Sequence, residues 1–149
     1  MHSFGGFTAR INNVSVVGKT SKTDSLTTGE IAEIQVLMES SELIEDINVG
    51  IVIRNNFGQD IYGTATWKHK EKVDIGSGEQ WLISFTMAMN LGIGQYTVSV
   101  ALSSGDTHLE GCLEWRDHAA SFEVLASGDD EFIGLCRLEP QICARRLEG

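Results

Sequence analysis

The sequence predicts an all-β protein built as an antiparallel β-sandwich, and three observations lead to that fold class. Short runs rich in Val, Ile, Thr and aromatic residues recur along all 149 residues, separated by Gly, Ser, Asn and Asp. No window of a dozen residues carries a clean helical stripe of apolar positions. About eight runs at this spacing are typical of two sheets that each bury one face against the other.

The clearest predicted strand spans residues 96–103, where large apolar residues alternate with small or polar ones. The same period of two runs over 81–87 and assigns Trp81 to the core. We expect these two strands to pair as an antiparallel hairpin, because the glycines of the intervening segment suit a chain reversal. Further strands are predicted over 9–17, 31–38, 47–54, 60–67, 112–124 and 132–138.

The terminal part of the chain is predicted to differ from the rest. Residues 1–127 are expected to form the sandwich, and residues 128–149 a hinge, a strand and a tail. The stretch SGDD at 127–130 indicates a flexible acidic hinge. The apolar run FIGLCRL at 132–138 is expected to pair either with its own sheet or with a second copy of the chain. The second arrangement would be a homodimer with an exchanged C-terminal strand.

Charge and composition restrict the classes of partner. The chain has 11 Lys and Arg against 21 Asp and Glu, a formal net charge of −10, which disfavours nucleic acid and anionic membrane surfaces. No apolar run approaches the ~20 residues of a membrane-spanning helix. The first ten residues lack the pattern of a secretion signal. We therefore expect a cytoplasmic protein with no nucleic-acid partner.

Sequence motifs of cofactor and metal sites fail when their spacing is checked. The GKT at 18–20 lacks the upstream glycine of a phosphate-binding loop, because that position is Asn13. The histidines and the odd set of three cysteines have no regular metal-ligand spacing. We therefore predict no cofactor, no metal ion and no catalytic residue. A small glycan-processing enzyme with two acids stays an alternative, because such a pair leaves no sequence signature.

Aromatic and charged residues cluster in TWKHK at 66–70 and LEWRDH at 113–118. An indole beside hydrogen-bonding groups suits a sugar, whose apolar face stacks on the ring while its hydroxyls bind the polar groups. By the period of two, Trp115, Asp117 and Arg54 fall on the non-core faces of their strands. We expect them to line one outer polar sheet surface together with Glu33 and Gln35. The predicted carbohydrate-binding residues are Glu33, Gln35, Arg54, Trp67, His69, Trp115 and Asp117.

The charge of a sugar ligand stays open from the sequence. The acidic surface favours a neutral sugar over a polyanion. Three cations close to the aromatic clusters or on the polar face, Arg54, Lys68 and Arg116, would nevertheless be available to a charged end group.

Five stretches of the sequence, in a fixed order, carry a family resemblance. They are GGFTARINNVSVV, TTGEIAEIQVLM, INVGIVIRNNFGQDIYGTAT, GSGEQWLISFTMAMNLGIGQYTVSVAL and DHAASFEV, and they cover most of residues 5–124. In combination they resemble the C-terminal carbohydrate-binding domain of Wzt-type ATP-binding subunits, from ABC transporters that export bacterial O-antigen polysaccharides. The resemblance implies an immunoglobulin-like sandwich, a homodimer and a non-catalytic module without the ATPase domain.

The resemblance also implies a ligand and a cellular setting. The ligand would be the non-reducing end of an undecaprenyl-linked O-antigen polysaccharide. The module would act in the cytoplasm at the inner face of the inner membrane, through the transmembrane subunit of its transporter. Ligand contacts vary with the polymer among relatives. The site residues are therefore predicted only from composition and from parity, meaning the position of a residue in the alternation of faces along its strand. The alternative comes from another class of function. It is a structural dimerisation or adaptor domain whose exposed face binds protein.

Overall fold

The computed structural model describes residues 8–104, 112–126, 128 and 132–147. Eight strands are present in this part of the chain: β1 (Ala9–Gly18), β2 (Ser25–Thr27), β3 (Ile31–Ser40), β4 (Ile47–Asn55), β5 (Asp60–Ala65), β6 (Gln80–Ala88), β7 (Gly94–Ser104) and β8 (Cys112–Leu125). They form a three-stranded sheet of order β1-β3-β6 and a five-stranded sheet of order β2-β8-β7-β4-β5. All pairs are antiparallel except β2 with β8. The predicted all-β sandwich is confirmed.

Strict alternation builds the core between the two sheets. In β3 every second residue, from Ala32 to Met38, is fully buried, and the residues between them lie on the outer face. β7 does the same from Tyr96 to Leu102. The inner faces of both sheets contribute to one continuous apolar cluster. Each strand therefore has one face that stabilises the fold and one that is available for other contacts.

The predicted hairpin between 81–87 and 96–103 is wrong. β6 pairs with β3 in the three-stranded sheet, whereas β7 pairs with β4 and β8 in the five-stranded sheet. The connection between them crosses from one sheet to the other, and Met89 and Leu91 are buried within it. Alternation reports which face of a strand is apolar, but both sheets of a sandwich have the same pattern. The pattern therefore could not show that the two strands belong to different sheets.

Residues 132–138 do not form a strand in the described structure. A single bridge joins Leu91 and Cys136. Beside it the Gly92 N–H donates to the Leu135 carbonyl at 2.9 Å, and the Arg137 N–H donates to the Asn90 carbonyl at 2.8 Å. The edge of β8 that faces away from β7 pairs instead with β2. The sequence does not predict β2, because its three residues are too few to show a period of two. The predicted hinge at 127–130 falls, apart from Gly128, outside the described residues.

Trp81 lies on the predicted inner face but is not buried. It pairs with the fully buried Met38, yet the side chain is 37% exposed. The cause is its strand, because β6 is the outermost strand of its sheet and its other inner residues are only partly buried. The sandwich is therefore open on the side where β6 faces β5.

Tyr96 stabilises the crossover between the sheets. Its ring stacks on Phe122 with the ring centroids 5.2 Å apart, and its buried hydroxyl donates to the Gly92 carbonyl at 2.6 Å. We expect Tyr96→Phe to lower the free energy of unfolding by about 1–2 kcal/mol, because a buried carbonyl loses its donor. Urea denaturation measures this, with the half-exposed Tyr62→Phe as the control. Equal stability changes in the two variants would contradict the assigned role.

Candidate functional site

The seven predicted site residues do not form one surface. Arg54, Trp115 and Asp117 share the outer face of the five-stranded sheet, which we call the five-stranded face. Glu33 and Gln35 lie on the outer face of β3, on the opposite side of the sandwich, where the Gln35 amide donates to Glu33 at 2.8 Å. The prediction of a common surface is therefore wrong for this pair. Parity assigns a residue to a face of its strand but does not identify the sheet.

The two predicted residues of TWKHK separate as well. β5 ends before them, and the chain forms a 3-10 helix at Thr66–His69. The Trp67 N–H donates at 3.2 Å to the side-chain oxygen of Asn48, an outer residue of β4, so Trp67 lies at the margin of the five-stranded face. The Nε2 of His69 lies 2.9 Å from Oγ1 of Thr64, on the open side of the sandwich. His69 is therefore outside the five-stranded face.

Three neighbouring strands place Trp115 above small residues. Trp115 on β8 pairs with Ala101 on β7, and Ala101 pairs with Gly50 on β4. These neighbours cannot cover the indole, and the Trp115 side chain is 49% exposed. An exposed indole held on a sheet provides a flat apolar surface on which a ring can stack.

A bulge in β8 positions Asp117. Three residues, 117–119, lie opposite the single residue Ser99 of β7. The backbone turns through a left-handed conformation at His118, with φ of 49°, and the His118 N–H donates to the Ser99 hydroxyl at 3.3 Å. Because the bulge adds two residues, an even number, the parity of the strand is unchanged beyond it. Asp117 therefore lies on the face predicted for a regular strand.

Arg54 joins these side chains into one network. Its Nε donates to Oδ1 of Asp60 at 2.6 Å, and its Nη1 donates to Oδ1 of Asp117 at 3.0 Å and to the Ser99 hydroxyl at 3.3 Å. The Ser99 hydroxyl in turn donates to Oδ1 of Asp117 at 2.5 Å. The guanidinium carbon lies 6.0 Å from the centroid of the Trp115 ring, within cation–π range. We call these five residues the Arg54 cluster.

The network favours the charged forms of Asp117 and Arg54. The hydrogen bond from Ser99 lowers the pKa of Asp117 below its ordinary value, and the charge of Arg54 acts in the same direction. The hydrogen bond to Asp60 raises the pKa of Arg54 above its ordinary value. Sequence reasoning missed Asp60 and Ser99. Ser99 did lie on the polar face of the clearest predicted strand, but its contact with Asp117 depends on the bulge.

The lowered pKa of Asp117 predicts a pH dependence of stability. A carboxyl whose folded-state pKa lies below its unfolded-state pKa stabilises the fold above the unfolded value, and this stabilisation is lost as the pH falls through the folded value. When the pH is lowered from about 5 to about 2, the free energy of unfolding should therefore fall less in Asp117→Asn than in the wild type. Urea unfolding at stepped pH measures this, with the exposed Asp24→Asn as the matched control. Identical pH profiles for Asp117→Asn and the wild type would contradict the prediction.

A concave site lies on the open side of the sandwich, between β5 and β6, and we call it the open cleft. Its volume is about 460 Å³. β5 and β6 are the outermost strands of their sheets in the described ranges, and within these ranges no other strand pairs with the backbone edge that each presents to the cleft. Its lining includes Tyr62, His69, Trp81, Ile83, Phe85 and Met87. A smaller concavity continues from Tyr62 and Met87 to Leu91 and Cys136.

Two other kinds of site are absent from the described ranges. No three His, Cys, Asp or Glu side chains there are placed to hold a metal ion. No helix in the same ranges is long and apolar enough to cross a membrane.

The architecture is an immunoglobulin-like antiparallel β-sandwich, and the outer face of its larger sheet carries polar and aromatic side chains. The model of the Wzt C-terminal domain family matches residues 1–138, and the chain belongs to that family. A crystal structure described as the C-terminal domain of wzt matches with a TM-score of 0.83 at 20% sequence identity. The match covers 95% of this chain and 87% of that chain, and it shows a shared fold. The resemblance seen in the sequence is confirmed.

The CARDB domain of the PF1109 protein from Pyrococcus furiosus, in complex with di-metal ions, matches with a TM-score of 0.49 at 13% identity, over 84% of this chain and 99% of that chain. This similarity is too low to support a conclusion. The comparison with curated proteins found no match. Membership of the Wzt family implies the context of an ABC transporter for O-antigen and is consistent with a carbohydrate-binding module.

Proposed function

We propose that this chain is a non-catalytic glycan-binding module that recognises the non-reducing end of an undecaprenyl-linked O-antigen polysaccharide before export. The observation that carries the proposal is the exposed Trp115 within the Arg54 cluster, on the outer face of a sheet in a chain that belongs to the Wzt C-terminal domain family. An aromatic surface next to fixed hydrogen-bonding groups is what a pyranose ring requires.

The five-stranded face offers such a ring a preorganised site. Trp115 would stack on the apolar face of the sugar, and the side chains of Asp60 and Asp117 would bind its hydroxyls. These groups are held by β4, β5 and β8 and are cross-linked through Arg54, so little side-chain freedom remains to be lost on binding. Trp67, at the margin of the face, would contact a further unit of the polymer.

The proposed setting is the cytoplasm, at the inner face of the inner membrane. There the parent subunit would bind the transmembrane subunit of the transporter and supply ATP hydrolysis. Residues 1–127 would form the recognition module, and residues 128–149 the hinge, strand and tail. The role of the module in export would be the selection of a polymer.

We further propose that the module is a homodimer in which the terminal segment, residues 132–147, gives up its own-chain hydrogen bonds with Asn90 and Gly92 and lies in the open cleft of the partner. The apolar side chains of this segment, which include Ile133 and Leu138, are exposed to solvent in the described chain. The open cleft offers an apolar floor and two unpaired strand edges. A strand from a second copy would satisfy both the edges and the floor.

Calorimetric titration tests the glycan proposal. The titrant is O-polysaccharide from the bacterium that encodes this chain, beside the same polymer with its non-reducing end trimmed. We expect the intact polymer to bind and the trimmed polymer to give no heat. Equal binding of both polymers would contradict end recognition. Binding of neither would contradict the glycan proposal and favour the adaptor domain that binds protein.

The same samples test whether the module is non-catalytic. After prolonged incubation with the chain, the intact polysaccharide should keep its length distribution on size-exclusion chromatography. Shortened products that disappear in the Asp60→Asn or Asp117→Asn variant would instead support the glycan-processing alternative with paired acids.

A further inference from the structure

From the sequence, Arg54 is one of three cations that could bind a charged end group of a glycan. In the structure Arg54 lies between two carboxylates. Its guanidinium donates to Asp60 at 2.6 Å and to Asp117 at 3.0 Å. Its side chain is 22% exposed, whereas those of Asp60 and Asp117 are 73% and 53% exposed. The positive charge is therefore recessed, and the negative charges face solvent.

The exposed His118 ring lies 3.8 Å from Oδ2 of Asp117 and is charged only when protonated. The other two cations do not change the charge beside Trp115. Arg116 donates to its neighbour on the same strand, Glu114, at 2.9 Å. The Nζ of Lys68 lies 5.1 Å from the centroid of the Trp67 ring, at the margin of the five-stranded face. Arg54, Asp60 and Asp117 together carry one net negative charge. A ligand stacked on Trp115 would therefore meet carboxylate oxygens first.

Carboxylate oxygens discriminate between end groups by charge and by hydrogen-bonding capacity. An ionised carboxylate only accepts hydrogen bonds, so it needs a donor from the ligand. Sugar hydroxyls are donors. A phosphate or uronate group presents acceptor oxygens of the same charge, and like charges brought together at an interface are strongly unfavourable. In the described structure Asp60 contacts Arg54 through Oδ1 alone, which leaves its Oδ2 for a ligand.

We propose that Asp60 and Asp117 determine the specificity of the five-stranded face. They admit a neutral glycan end whose hydroxyls donate to the two carboxylates while its ring stacks on Trp115. They reject an end that carries phosphate or carboxylate. This inference rests on the proposed glycan-binding function and adds the chemical class of the end that is bound.

An array of purified bacterial O-polysaccharides of known structure tests the proposal. It includes polymers with neutral ends and polymers with phosphate- or uronate-bearing ends, at physiological ionic strength. The proteins are the wild type, Asp60→Asn, Asp117→Asn and the double variant, each as the full chain. Glu33→Gln is the matched control, because it removes one negative charge on the opposite side of the sandwich and so reports the effect of net charge alone.

We expect the wild type to bind only neutral ends. The double variant, in which Arg54 loses both charged partners, should bind those ends at least about tenfold more weakly and should gain binding to anionic ends. Glu33→Gln should behave like the wild type. Asp60→Asn alone keeps the Ser99 and Asp117 contacts of Arg54, so it provides the test if the double variant does not fold.

The outcomes separate this inference from the proposed function. Wild-type preference for anionic ends, or an unchanged preference in Asp60→Asn and the double variant, would overturn the specificity proposal and leave glycan binding intact. Binding to no polysaccharide on the array would overturn the proposed function, and the specificity proposal with it.

Discussion

Replacement of Trp115 by alanine is expected to weaken glycan binding about 30-fold or more, corresponding to ~2 kcal/mol or above, while the domain stays folded. The indole is the only large aromatic surface within the Arg54 cluster, and Ala101 and Gly50 beside it cannot replace the lost stacking area. Because half of the side chain is already exposed, its removal opens no cavity in the core. The loss should therefore appear in affinity and not in stability.

Titration calorimetry of Trp115→Ala, together with a thermal melt of the same sample, measures both quantities. Trp81→Ala is the matched control, since this second part-exposed tryptophan lies in the open cleft and not on the five-stranded face. It should keep the wild-type affinity for glycan. A loss of binding in Trp81→Ala with full binding in Trp115→Ala would place the sugar in the cleft and contradict the site assigned here.

Removal of all residues after 131 is expected to convert the dimer to a monomer. The deleted segment carries exposed Ile133, Leu138 and Ile142, whose burial against the partner would provide most of the association energy. The unpaired edges of β5 and β6 would lose their partner at the same time. Glycan affinity per chain should be unchanged, because the Arg54 cluster includes no residue of this segment.

Light scattering coupled to size-exclusion chromatography measures the mass of each form. In the full chain, Leu138→Asp should weaken the dimer, whereas Leu43→Asp, at an exposed position outside the terminal segment, should not. A truncated chain that stays dimeric would contradict the exchanged segment. A dimer lost together with glycan binding would show that the site needs both copies.

The fold could be predicted because one physical rule acts on every strand. A strand between a core and solvent alternates, so alternation located seven of the eight strands. The same rule assigned Trp115 and Asp117 correctly to an outer face. It does not show which sheet a strand joins. For that reason it groups Glu33 and Gln35 with Arg54, although the pair lies on the opposite side of the sandwich from Arg54.

The Arg54 cluster could be predicted only in part. Composition and the period of two along the strands predict Arg54, Trp115 and Asp117. Their contacts depend on the register of β4 with β7 and on the bulge opposite Ser99, and neither is encoded in a local pattern. Asp60 joins the cluster through a register shift between β4 and β5. The open cleft was not predicted, because it results from the absence of a covering strand between two described sheet edges.

The most direct test of the assigned site is to follow the backbone amide and indole NMR signals of the labelled chain during titration with the intact O-polysaccharide. We predict that the signals that shift cluster around Arg54, Ser99, Trp115 and Asp117, including the Trp115 indole, while those of Glu33 and Gln35 stay fixed. Shifts confined to the outer face of the three-stranded sheet or to the open cleft, with the Trp115 indole unmoved, would contradict glycan recognition by the five-stranded face.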